Sequence, residues 1–371
     1  MQVNKKNETT VVYIVEFPIF EKNTMDSPIY IGLMSGTSVD GLDVCAARFA
    51  GKNYEILAAE SIPYPAELHE KLLNAHTLSA LELAQLHVDF GVYCGRKVKD
   101  FVKRHSIRAD YVASHGQTVF HTPQTGLTLQ IGSGAHIAAE CGIPTICDFR
   151  TLDVAMGGQG APLVPIGDEL LFSDYDYCLN IGGFANVSTN VDGKRIAWDI
   201  CPSNIVLNSF AQKLGYEFDK DGQLGRKGTI NEQILQKLNS LSYYAASAPK
   251  SLGREWVEQE IQPILCQEDS LYDCLATYYE HCAMQIGKSL QGKNTKTLCT
   301  GGGVRNTFLM DKIANYAESE LIIPHAQVID FKEALIFAYL GYLRVEEKNN
   351  CLATVTGASR DVCGGVIWCC A

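Results

Sequence analysis

Residues 31–43 read Ile-Gly-Leu-Met-Ser-Gly-Thr-Ser-Val-Asp-Gly-Leu-Asp, and this stretch gives the first indication of the fold. The apolar run Tyr30–Met34 predicts a buried strand that passes directly into a turn rich in glycine and hydroxyl side chains. Asp40-Gly41 is a hairpin-turn signal, and Val44–Phe49 predicts the strand that returns from it. The stretch therefore predicts two paired strands joined by a glycine-rich turn.

The junction of an apolar strand with glycines occurs twice more along the chain. Tyr177–Ile181 runs into Gly182–Gly183, and Thr297–Thr300 runs into Gly301–Gly303. The chain has 371 residues, which is longer than one typical domain. Because similar hairpins open both halves, the pattern favours two similar α/β lobes that flank a cleft. The expected boundaries are a flexible N-terminal extension over residues 1–28, an N-terminal lobe of residues 29–147 with 352–371, and a C-terminal lobe of residues 148–351.

Hydrophobic periodicity predicts the remaining elements. Further strands are expected at Tyr54–Ser61, Tyr111–Ser114, Thr128–Ile131, Thr145–Asp148, Val187–Asn190 and Arg195–Asp199. Helices are expected at Ala66–Lys103, Ala135–Glu140, Asn204–Leu214, Asn231–Asn239, Leu271–Gln291 and Glu333–Arg344. Residues 156–165 are rich in Gly and Pro and predict a loop.

Composition and charge narrow the class of protein. The net charge is −11 and the sequence contains no Lys/Arg cluster, so we expect no nucleic-acid partner. No apolar run reaches the ~18 residues that a membrane helix needs, so we expect no membrane association. The 14 cysteines include no Cys-x-x-Cys pair, and several lie in apolar runs. This usage predicts free thiols in a reduced, cytoplasmic protein.

The glycine-rich turns suit the binding of a nucleotide. Glycine lets the backbone approach phosphate oxygens closely, and a neighbouring hydroxyl adds a hydrogen-bond donor. Asp40 and Asp43 are candidates for holding Mg²⁺, with Asp40 the preferred ligand. Taken singly, each turn has a simpler interpretation as a plain hairpin. The sequence lacks the P-loop and Rossmann signatures that are the nearest alternatives. The predicted nucleotide-binding residues are Gly36, Thr37, Ser38, Val39, Asp40, Gly41, Leu42, Asp43, Gly182, Gly183, Gly301, Gly302 and Gly303.

Several polar residues outside the glycine turns are candidates for catalysis or substrate binding. Asp199 is expected to end a strand, where a carboxylate facing a cleft would serve as a general base. A helix cap is the alternative, since Pro202 and a serine follow it. Arg150 has the planar fork that binds a carboxylate, or else forms an ordinary ion pair. His115 and Gln117 are placed to hydrogen-bond sugar hydroxyls, with a buried structural histidine as the alternative for His115.

Several motifs together resemble one family, the 1,6-anhydro-N-acetylmuramic acid kinases. The motifs follow in the family's order over about residues 29–368. They are residues 31–43 quoted above, Ser114–Thr118, Leu129–Gly132, Asp148–Arg150, Gly157–Pro165, Asn180–Gly183 with Ala185–Asn186, Gly301–Asn306 and Val355–Ser359.

The resemblance implies a two-lobed actin- or hexokinase-like fold, related to ribonuclease H, with ATP bound between the lobes. It implies an enzyme that uses ATP, Mg²⁺ and water to open the 1,6-anhydro bridge of 1,6-anhydro-N-acetylmuramic acid and to phosphorylate O6 in cell-wall recycling. Gly36–Asp43 would bind ATP, and Asp199 would activate the water. Arg150, Glu333 and Asn204 match substrate-binding positions. A cytoplasmic homodimer is also implied.

The chain departs from the family pattern next to Asp199. The family usually has Asp-Thr-Gly-Pro-Gly-Asn where this chain has Asp199-Ile-Cys-Pro-Ser-Asn204. The replacements put side chains where the family has bare backbone. Two alternatives to the kinase therefore stay open at this point. One is a non-catalytic regulator that binds a nucleotide or a muropeptide, and the other is a related kinase with a different amino-sugar acceptor.

Overall fold

The computed structural model of the protein describes residues 11–13, 27–36, 39–248 and 250–369. The chain divides into two units of internal contacts. One comprises residues 1–17 and 172–330, called the first unit below, and the other comprises residues 18–171 and 331–371, called the second unit. These boundaries differ from the expected ones at 147/148 and 351/352.

Contacts within the second unit explain the difference in boundaries. Asp153, which follows the expected boundary, is hydrogen-bonded to Thr356 and Cys351 near the end of the chain. Gly32 lies so close to the helix that contains Ala334 that a Cβ atom would overlap the Ala334 carbonyl group. Residues 148–171 and 331–351 therefore belong with the N-terminal sheet, although the sequence pattern assigned them to the other lobe.

Strands are numbered in chain order. They are β1 (Val11–Tyr13), β2 (Ile29–Ser35), β3 (Gly41–Ala50), β4 (Asn53–Pro63), β5 (Tyr111–Ser114), β6 (Gln117–Thr122), β7 (Leu127–Ile131), β8 (Thr145–Cys147), β9 (Tyr177–Ile181), β10 (Phe184–Val191), β11 (Lys194–Pro202), β12 (Lys296–Thr300), β13 (Glu320–Ile323) and β14 (Val366–Trp368).

Helices are numbered in the same way. They are α1 (Ala66–Leu73), α2 (Ala80–His105), α3 (Gly134–Cys141), α4 (Thr151–Ala155), α5 (Val164–Leu170), α6 (Asn204–Lys213), α7 (Glu232–Asn239), α8 (Ser242–Ala245), α9 (Arg254–Trp256), α10 (Gln262–Leu265), α11 (Leu271–Ser289), α12 (Thr307–Ala314), α13 (Ala326–Val345) and α14 (Ala353–Thr356). Short 3-10 turns lie at Ala75–Thr77, Pro123–Thr125, Lys220–Gly222, Gly225–Lys227 and Gly302–Arg305, and a π-helical turn lies at Val257–Ile261.

The main sheet of the second unit has the order β14-β8-β5-β2-β3-β4. Its central strand β2 pairs antiparallel with β3, which pairs antiparallel with β4. On the other side β2 pairs parallel with β5, and β5 pairs parallel with β8. Strands β6 and β7 form a separate two-stranded hairpin. The core of this unit lies between β2–β5 and helix α2, whose buried side chains include Phe90, Val98 and Phe101.

The sheet of the first unit has the order β1-β13-β12-β9-β10-β11 and repeats the same pattern. Strand β9 is central, and it pairs antiparallel with β10, which pairs antiparallel with β11. On the other side, β9 pairs parallel with β12, and β12 pairs parallel with β13. Each unit thus contains an antiparallel three-stranded meander followed by two parallel strands. The prediction of an α/β fold with two similar units is confirmed.

The N-terminal residues give a result that the sequence did not indicate. Val11–Tyr13 pairs parallel with Leu321–Ile323 as a sixth strand of the first unit's sheet. Val11 packs against the core of that unit. The flexible extension expected over residues 1–28 therefore includes a three-residue strand, while residues 1–10 and 14–26 lie outside the described part of the chain.

Several elements differ from their expected bounds, among them two helices and one strand. The predicted helix Ala66–Lys103 is divided into α1 and α2, because Ser79 caps α2 in a reciprocal arrangement with Glu82. Helix α13 begins seven residues before Glu333. Strand β11 continues to Pro202, so Asp199 lies within the strand and not at its end. No helix within the described residues is both long enough and apolar enough to span a membrane.

Candidate active site

Asp199 lies on β11, the edge strand of the first unit's sheet, beside a break in the strand register. Asn186 of β10 pairs with Asp199, but Ala185 pairs with Cys201, so Ile200 is an extra residue in β11. Such a bulge bends a strand and re-aims its side chains, and bulges are common next to active sites. Sequence periodicity could not locate the bulge, because it depends on the pairing with β10.

The departure from the family pattern beside Asp199 is accommodated inside the first unit. Ile200 and Cys201 are buried in the core cluster, and the Ser203 side chain is also buried. The carbonyl oxygen of Pro202 accepts a hydrogen bond from the Tyr278 hydroxyl at 3.0 Å. The added side chains therefore fill the core and do not project into exposed space beside Asp199.

Among the described residues, one oxygen of the Asp199 carboxylate accepts a hydrogen bond and the other does not. The backbone N–H of Leu252 donates to Oδ2 at 2.9 Å. Among the described residues nothing hydrogen-bonds Oδ1, and the side chain is only partly buried. Burial raises the pKa of Asp199, while the Leu252 hydrogen bond lowers it. A carboxylate with a raised pKa and one open oxygen is suited to accept a proton from water.

The glycine turn Gly182–Gly183 of the first unit joins β9 to β10. It is hydrogen-bonded to the residues at the start of helix α6. The backbone N–H of Asn204 donates to Gly182 O at 3.2 Å, and that of Ser203 donates to Gly183 O at 2.8 Å. A Cβ atom on either glycine would meet nothing closer than 3.6 Å. Packing within the protein therefore does not require glycine here, which leaves the approach of a ligand as a reason for it.

In the second glycine turn, Gly301–Gly303, packing explains two of the glycines but not the third. Gly301 has φ +84°, and a Cβ atom on it would lie 2.6 Å from Asn180 Oδ1. A Cβ atom on Gly303 would overlap the Ile181 side chain. By contrast, a Cβ atom on Gly302 would have no neighbour within 4 Å in the part of the chain that the structure describes. Of the three, only Gly302 keeps an open face for a ligand.

The turn between β2 and β3 carries the remaining predicted nucleotide-binding residues. Thr37 and Ser38 lie outside the described residues. Val39 donates its N–H to Gly36 O at 3.1 Å and has φ 56°, a conformation that β-branched residues rarely adopt. Strain of this kind concentrates at ligand-binding loops.

The other residues of this turn differ in exposure and in their partners. Asp40 is exposed, and Leu42 is buried in the core of the second unit. Gly41 is structural, because a Cβ atom on it would lie 2.8 Å from Ile62 O. Asp43 lies on β3 between Met34 and Ser61 of the neighbouring strands.

In the second unit Arg150 is joined to His115. Arg150 donates to His115 Nε2 from Nε at 3.1 Å and from Nη2 at 2.8 Å, and its Nη1 donates to Gly160 O at 2.6 Å. A guanidinium group can only donate, so His115 accepts at Nε2 and carries its proton on Nδ1. Burial and the charge of Arg150 lower the pKa of His115 to about 3, so this histidine is neutral. His115 acts as a support that orients the cation.

Gln117, which is the other residue expected to bind sugar hydroxyls, is buried in a short hydrogen-bond chain. The Tyr64 hydroxyl donates to Ser35 Oγ at 2.7 Å, and Ser35 donates to Gln117 Oε1 at 2.5 Å. All three side chains are buried. The carbonyl oxygen of Gln117 is therefore used to tie β6 to the end of β2.

Glu333 lies on α13 within electrostatic range of Arg150. Its pKa is raised by desolvation, lowered by Lys332, raised by Asp43 and lowered by Arg150, in that order of effect. The side chain is nevertheless accessible to solvent. One cation and one carboxylate that interact electrostatically can together bind polar groups of a sugar.

Two buried acidic residues that support this region were not predicted from the sequence. Asp153 accepts hydrogen bonds from Gly160 N at 2.7 Å and from Thr356 Oγ1 at 2.7 Å, which holds the segment after Arg150. Asp168 pairs with Lys332 at 2.7 Å, and both side chains are buried. Their partners lie 7 to 203 residues away along the chain, so no local pattern could reveal them.

The described residues contain no group of three or more His, Cys, Asp or Glu side chains that could hold a metal ion. Mg²⁺ at kinase sites is held by one or two carboxylates together with phosphate oxygens and water. Asp40, exposed at the turn, satisfies that requirement for one carboxylate.

Comparison with known proteins identifies the family. The sequence model of the anhydro-N-acetylmuramic acid kinases matches residues 28–370. The chain is 35% identical to the anhydro-N-acetylmuramic acid kinase of Vibrio cholerae, an alignment that covers 92% of this chain and 98% of the relative. It is 35% identical to the enzyme of that name from Gloeobacter violaceus, over 91% and 98% of the two chains. The Pasteurella multocida relative is 33% identical over 91% and 96%. The chain belongs to the anhydro-N-acetylmuramic acid kinase family.

Proposed function

We propose that the protein uses ATP and water to convert 1,6-anhydro-N-acetylmuramic acid into N-acetylmuramic acid 6-phosphate and ADP, in the recycling of peptidoglycan. Water attacks the anomeric carbon and the bond from that carbon to O6 breaks. O6 then forms a bond to the γ-phosphorus of ATP as the bond to ADP breaks. The proton lost by the water passes to a carboxylate. Family membership supports this reaction over a non-catalytic role or a different acceptor.

Asp199 is the residue that we assign to the proton transfer, and its geometry is the observation that carries the proposal. Its Oδ2 is held by Leu252 N–H, so the orientation of the carboxylate is defined before water arrives. Oδ1 is left to accept the proton. Burial raises the pKa, which makes the carboxylate a better base than an exposed aspartate.

The remaining roles follow from the position and chemistry of each residue. The open faces at Gly182, Gly183 and Gly302 would accept the nucleotide. Asp40 would hold Mg²⁺, which when bound would neutralise charge on the phosphate groups. Arg150 and Glu333 would orient the sugar, and the neutral His115 keeps the guanidinium fork in place. Asn204 begins α6 with a half-exposed side chain, which is available to a substrate.

We also infer a cytoplasmic location and a homodimer. The described cysteines are all free, which fits a reducing compartment. The dimer rests on the family resemblance, and sedimentation equilibrium of the purified protein tests it.

The reaction itself is tested by ADP release with 1,6-anhydro-N-acetylmuramic acid in water enriched with ¹⁸O. The expected product carries one phosphate group and one ¹⁸O atom at the anomeric carbon, while ADP is released in equal amount. N-acetylmuramic acid and N-acetylglucosamine serve as alternative acceptors. Sugar-independent ADP release, or a phosphorylated product without ¹⁸O, would contradict the proposal. Turnover with an alternative acceptor only would support the different-acceptor kinase.

The pH dependence of the reaction follows from the raised pKa of Asp199. The protonated acid cannot accept a proton, so kcat/KM is expected to fall as the pH is lowered through that pKa. The acid limb should therefore lie above the pKa of about 3.9 that is usual for aspartate. Initial rates across the acid range, at constant ionic strength, measure the limb. A limb at the ordinary aspartate pKa would show that Asp199 is not the base.

Substitution of the glycines tests which of them face the nucleotide. Gly302→Ala should leave the free energy of unfolding within about 0.5 kcal/mol of wild type, because the added Cβ atom meets no described residue within 4 Å. It should raise the KM for ATP by about tenfold, equivalent to ~1.4 kcal/mol of binding. Gly303→Ala is the matched control, and overlap with Ile181 should destabilise it by about 1–3 kcal/mol. An unchanged KM for ATP in Gly302→Ala would remove Gly302 from the nucleotide site.

A further inference from the structure

Asp199 is surrounded by one segment of the first unit, residues 242–252, which we call the clamp segment; residue 249 lies outside the described part of the chain. Because β11 is an edge strand of the described sheet, its outward N–H and C=O groups have no partner strand among the described residues. At Asp199 both are taken by the clamp segment. The Asp199 N–H donates to Lys250 O at 3.0 Å, and Asp199 O accepts from the Tyr243 hydroxyl at 2.7 Å.

The carboxylate is held by the same segment. Leu252 N–H donates to Asp199 Oδ2 at 2.9 Å. Lys250 closes the segment on itself, since its Nζ donates to Tyr243 O at 2.8 Å and lies 4.5 Å from the centre of the Tyr243 ring. Three polar groups of Asp199 are therefore fixed by the clamp segment: its amide, its carbonyl and one carboxylate oxygen. The three partners lie 44 to 53 positions later in the chain.

The clamp segment is itself anchored to the core helix α11. The Tyr244 hydroxyl bonds to His281 Nε2 at 2.9 Å, and His281 Nδ1 bonds to Asn239 Oδ1 at 2.8 Å. Gln285 Nε2 donates to the same Asn239 oxygen at 2.7 Å. Since that oxygen only accepts, His281 donates from Nδ1 and accepts at Nε2 from the tyrosine. Both His281 and Tyr244 are thereby locked, and Tyr243 next in sequence has little freedom to move.

Aromatic packing adds to the rigidity of the segment. The Tyr243 ring lies 5.3 Å from the Trp256 ring and 5.7 Å from the Tyr244 ring, centre to centre. Tyr243 keeps its proton at neutral pH, because burial and the nearby Asp199 charge raise the pKa of its phenol. At neutral pH the Tyr243 hydroxyl therefore always has a proton to donate to the backbone oxygen of Asp199.

We propose that Tyr243 is a positioning residue, which fixes the backbone of Asp199 through its hydroxyl group and so sets the direction of the Asp199 carboxylate. This proposal rests on the role of Asp199 in the proposed function. A positioned base loses efficiency when its geometry relaxes, even if its chemistry is unchanged. Tyr243 itself is not assigned any contact with the sugar or the nucleotide.

The test compares Tyr243→Phe with Tyr177→Phe. The first removes only the hydroxyl group that donates to Asp199 O. The second removes a hydroxyl that donates to another backbone oxygen of the first unit, that of Gln291, at 2.6 Å. Tyr177 begins β9, at the end of that strand away from the glycine turn. Both variants lose one tyrosine-to-carbonyl hydrogen bond, so the pair separates loss of a bond from loss of positioning.

Tyr243→Phe is expected to lower kcat by about tenfold, because one hydrogen bond that aligns the proposed base is lost. The KM for each substrate should change by less than about twofold, because no binding contact is removed. The acid limb of kcat should move to higher pH, since a loosened Leu252 bond no longer lowers the pKa of Asp199 as effectively. Tyr177→Phe should leave kcat and the acid limb at wild-type values.

Three outcomes would overturn the proposal. The first is a dependence of kcat on pH in Tyr243→Phe that equals that of Tyr177→Phe. The second is a change in KM without a change in kcat. The third is a lower melting temperature while the acid limb of kcat stays at the wild-type pH. A second readout separates this proposal from the proposed function. Carboxyl ¹³C titration of Asp199 should show a higher pKa in Tyr243→Phe than in wild type whether or not the wild-type protein turns over the sugar. An equal pKa in the two proteins would contradict the positioning role even if the kinase activity is confirmed.

Discussion

Asp199→Asn is expected to lower kcat for the sugar-dependent release of ADP by about 10²- to 10⁴-fold, the usual contribution of a positioned general base. The amide has nearly the same shape as the carboxylate, and its oxygen can still accept the Leu252 N–H bond. The fold beside β11 should therefore survive. What is lost is the basic oxygen, because an amide does not take a proton from water at neutral pH.

The matched control for this variant is Asp192→Asn. Asp192 is exposed in the hairpin between β10 and β11, only seven positions before Asp199. It has φ 52°, and asparagine tolerates this left-handed conformation as well as aspartate does. The control removes the same charge from the same hairpin without touching the proposed base, so its kcat should equal that of wild type.

The measurements are steady-state kinetics and direct titration of ATP binding in the absence of sugar. ATP affinity should be preserved in Asp199→Asn, since the open glycine faces do not depend on this carboxylate. A kcat within a few-fold of wild type would assign the base elsewhere. Loss of ATP binding together with kcat would indicate a disrupted nucleotide site and would not support the assignment of Asp199 as base.

The strands beside the glycines could be predicted from the sequence, and the physical reason is local. Tyr177–Ile181 is a mostly apolar run, interrupted by Asn180, that ends in glycines, and the structure has a strand with those bounds. The helix predicted from Leu271 is also present and begins at that residue, and its side chains are buried at most positions from Cys274 to Gly287. These features depend on neighbours in the chain, which is the information that periodicity contains.

The geometry around Asp199 could not be predicted, because it depends on contacts distant in sequence. The bulge at Ile200 depends on the register with β10, and the hold on the carboxylate comes from Leu252. The sequence pattern also ended the strand at Asp199, because Pro202 suggested a helix start. A proline is tolerated there since β11 is an edge strand.

The roles of individual glycines also could not be predicted from the sequence. Sequence motifs treat Gly301, Gly302 and Gly303 alike. In the structure the first and third are required by the packing of β9, and only Gly302 has free space above it. A motif identifies the turn, but the neighbours of each Cα atom decide which glycine is available to a ligand.

Lys332→Met is expected to lower the free energy of unfolding by about 3–5 kcal/mol, the usual cost of breaking a buried ion pair by removing one partner. Lys332 Nζ lies 2.7 Å from Asp168 Oδ1, and the two side chains are 6% and 5% exposed. Methionine fills most of the lysine volume, so the main loss is electrostatic. The Asp168 carboxylate would remain buried without the cation that compensates its charge.

The ion pair also bears on the candidate site, because Lys332 precedes Glu333 on α13 and lowers the pKa of its carboxyl group. Removing the lysine should raise the pKa of Glu333 further. A weakened interaction with the sugar would then appear as a higher KM for the sugar near neutral pH, with the KM for ATP unchanged. This split distinguishes an effect on Glu333 from a general loss of folded protein.

Lys71→Met is the matched control, since Lys71 Nζ also lies 2.7 Å from a carboxylate oxygen, that of Glu67, in the same unit. That pair is exposed, so water replaces the lost partner and no measurable change in stability is expected. The double variant Lys332→Met with Asp168→Leu should recover most of the stability lost in Lys332→Met, because no charge is then left buried. Chemical denaturation of wild type, Lys332→Met, Asp168→Leu and the double variant measures the coupling between the two residues. Equal stabilities of Lys332→Met and Lys71→Met would show that water reaches Asp168. The pair would then have no part in holding α13, the helix that carries Glu333, in place.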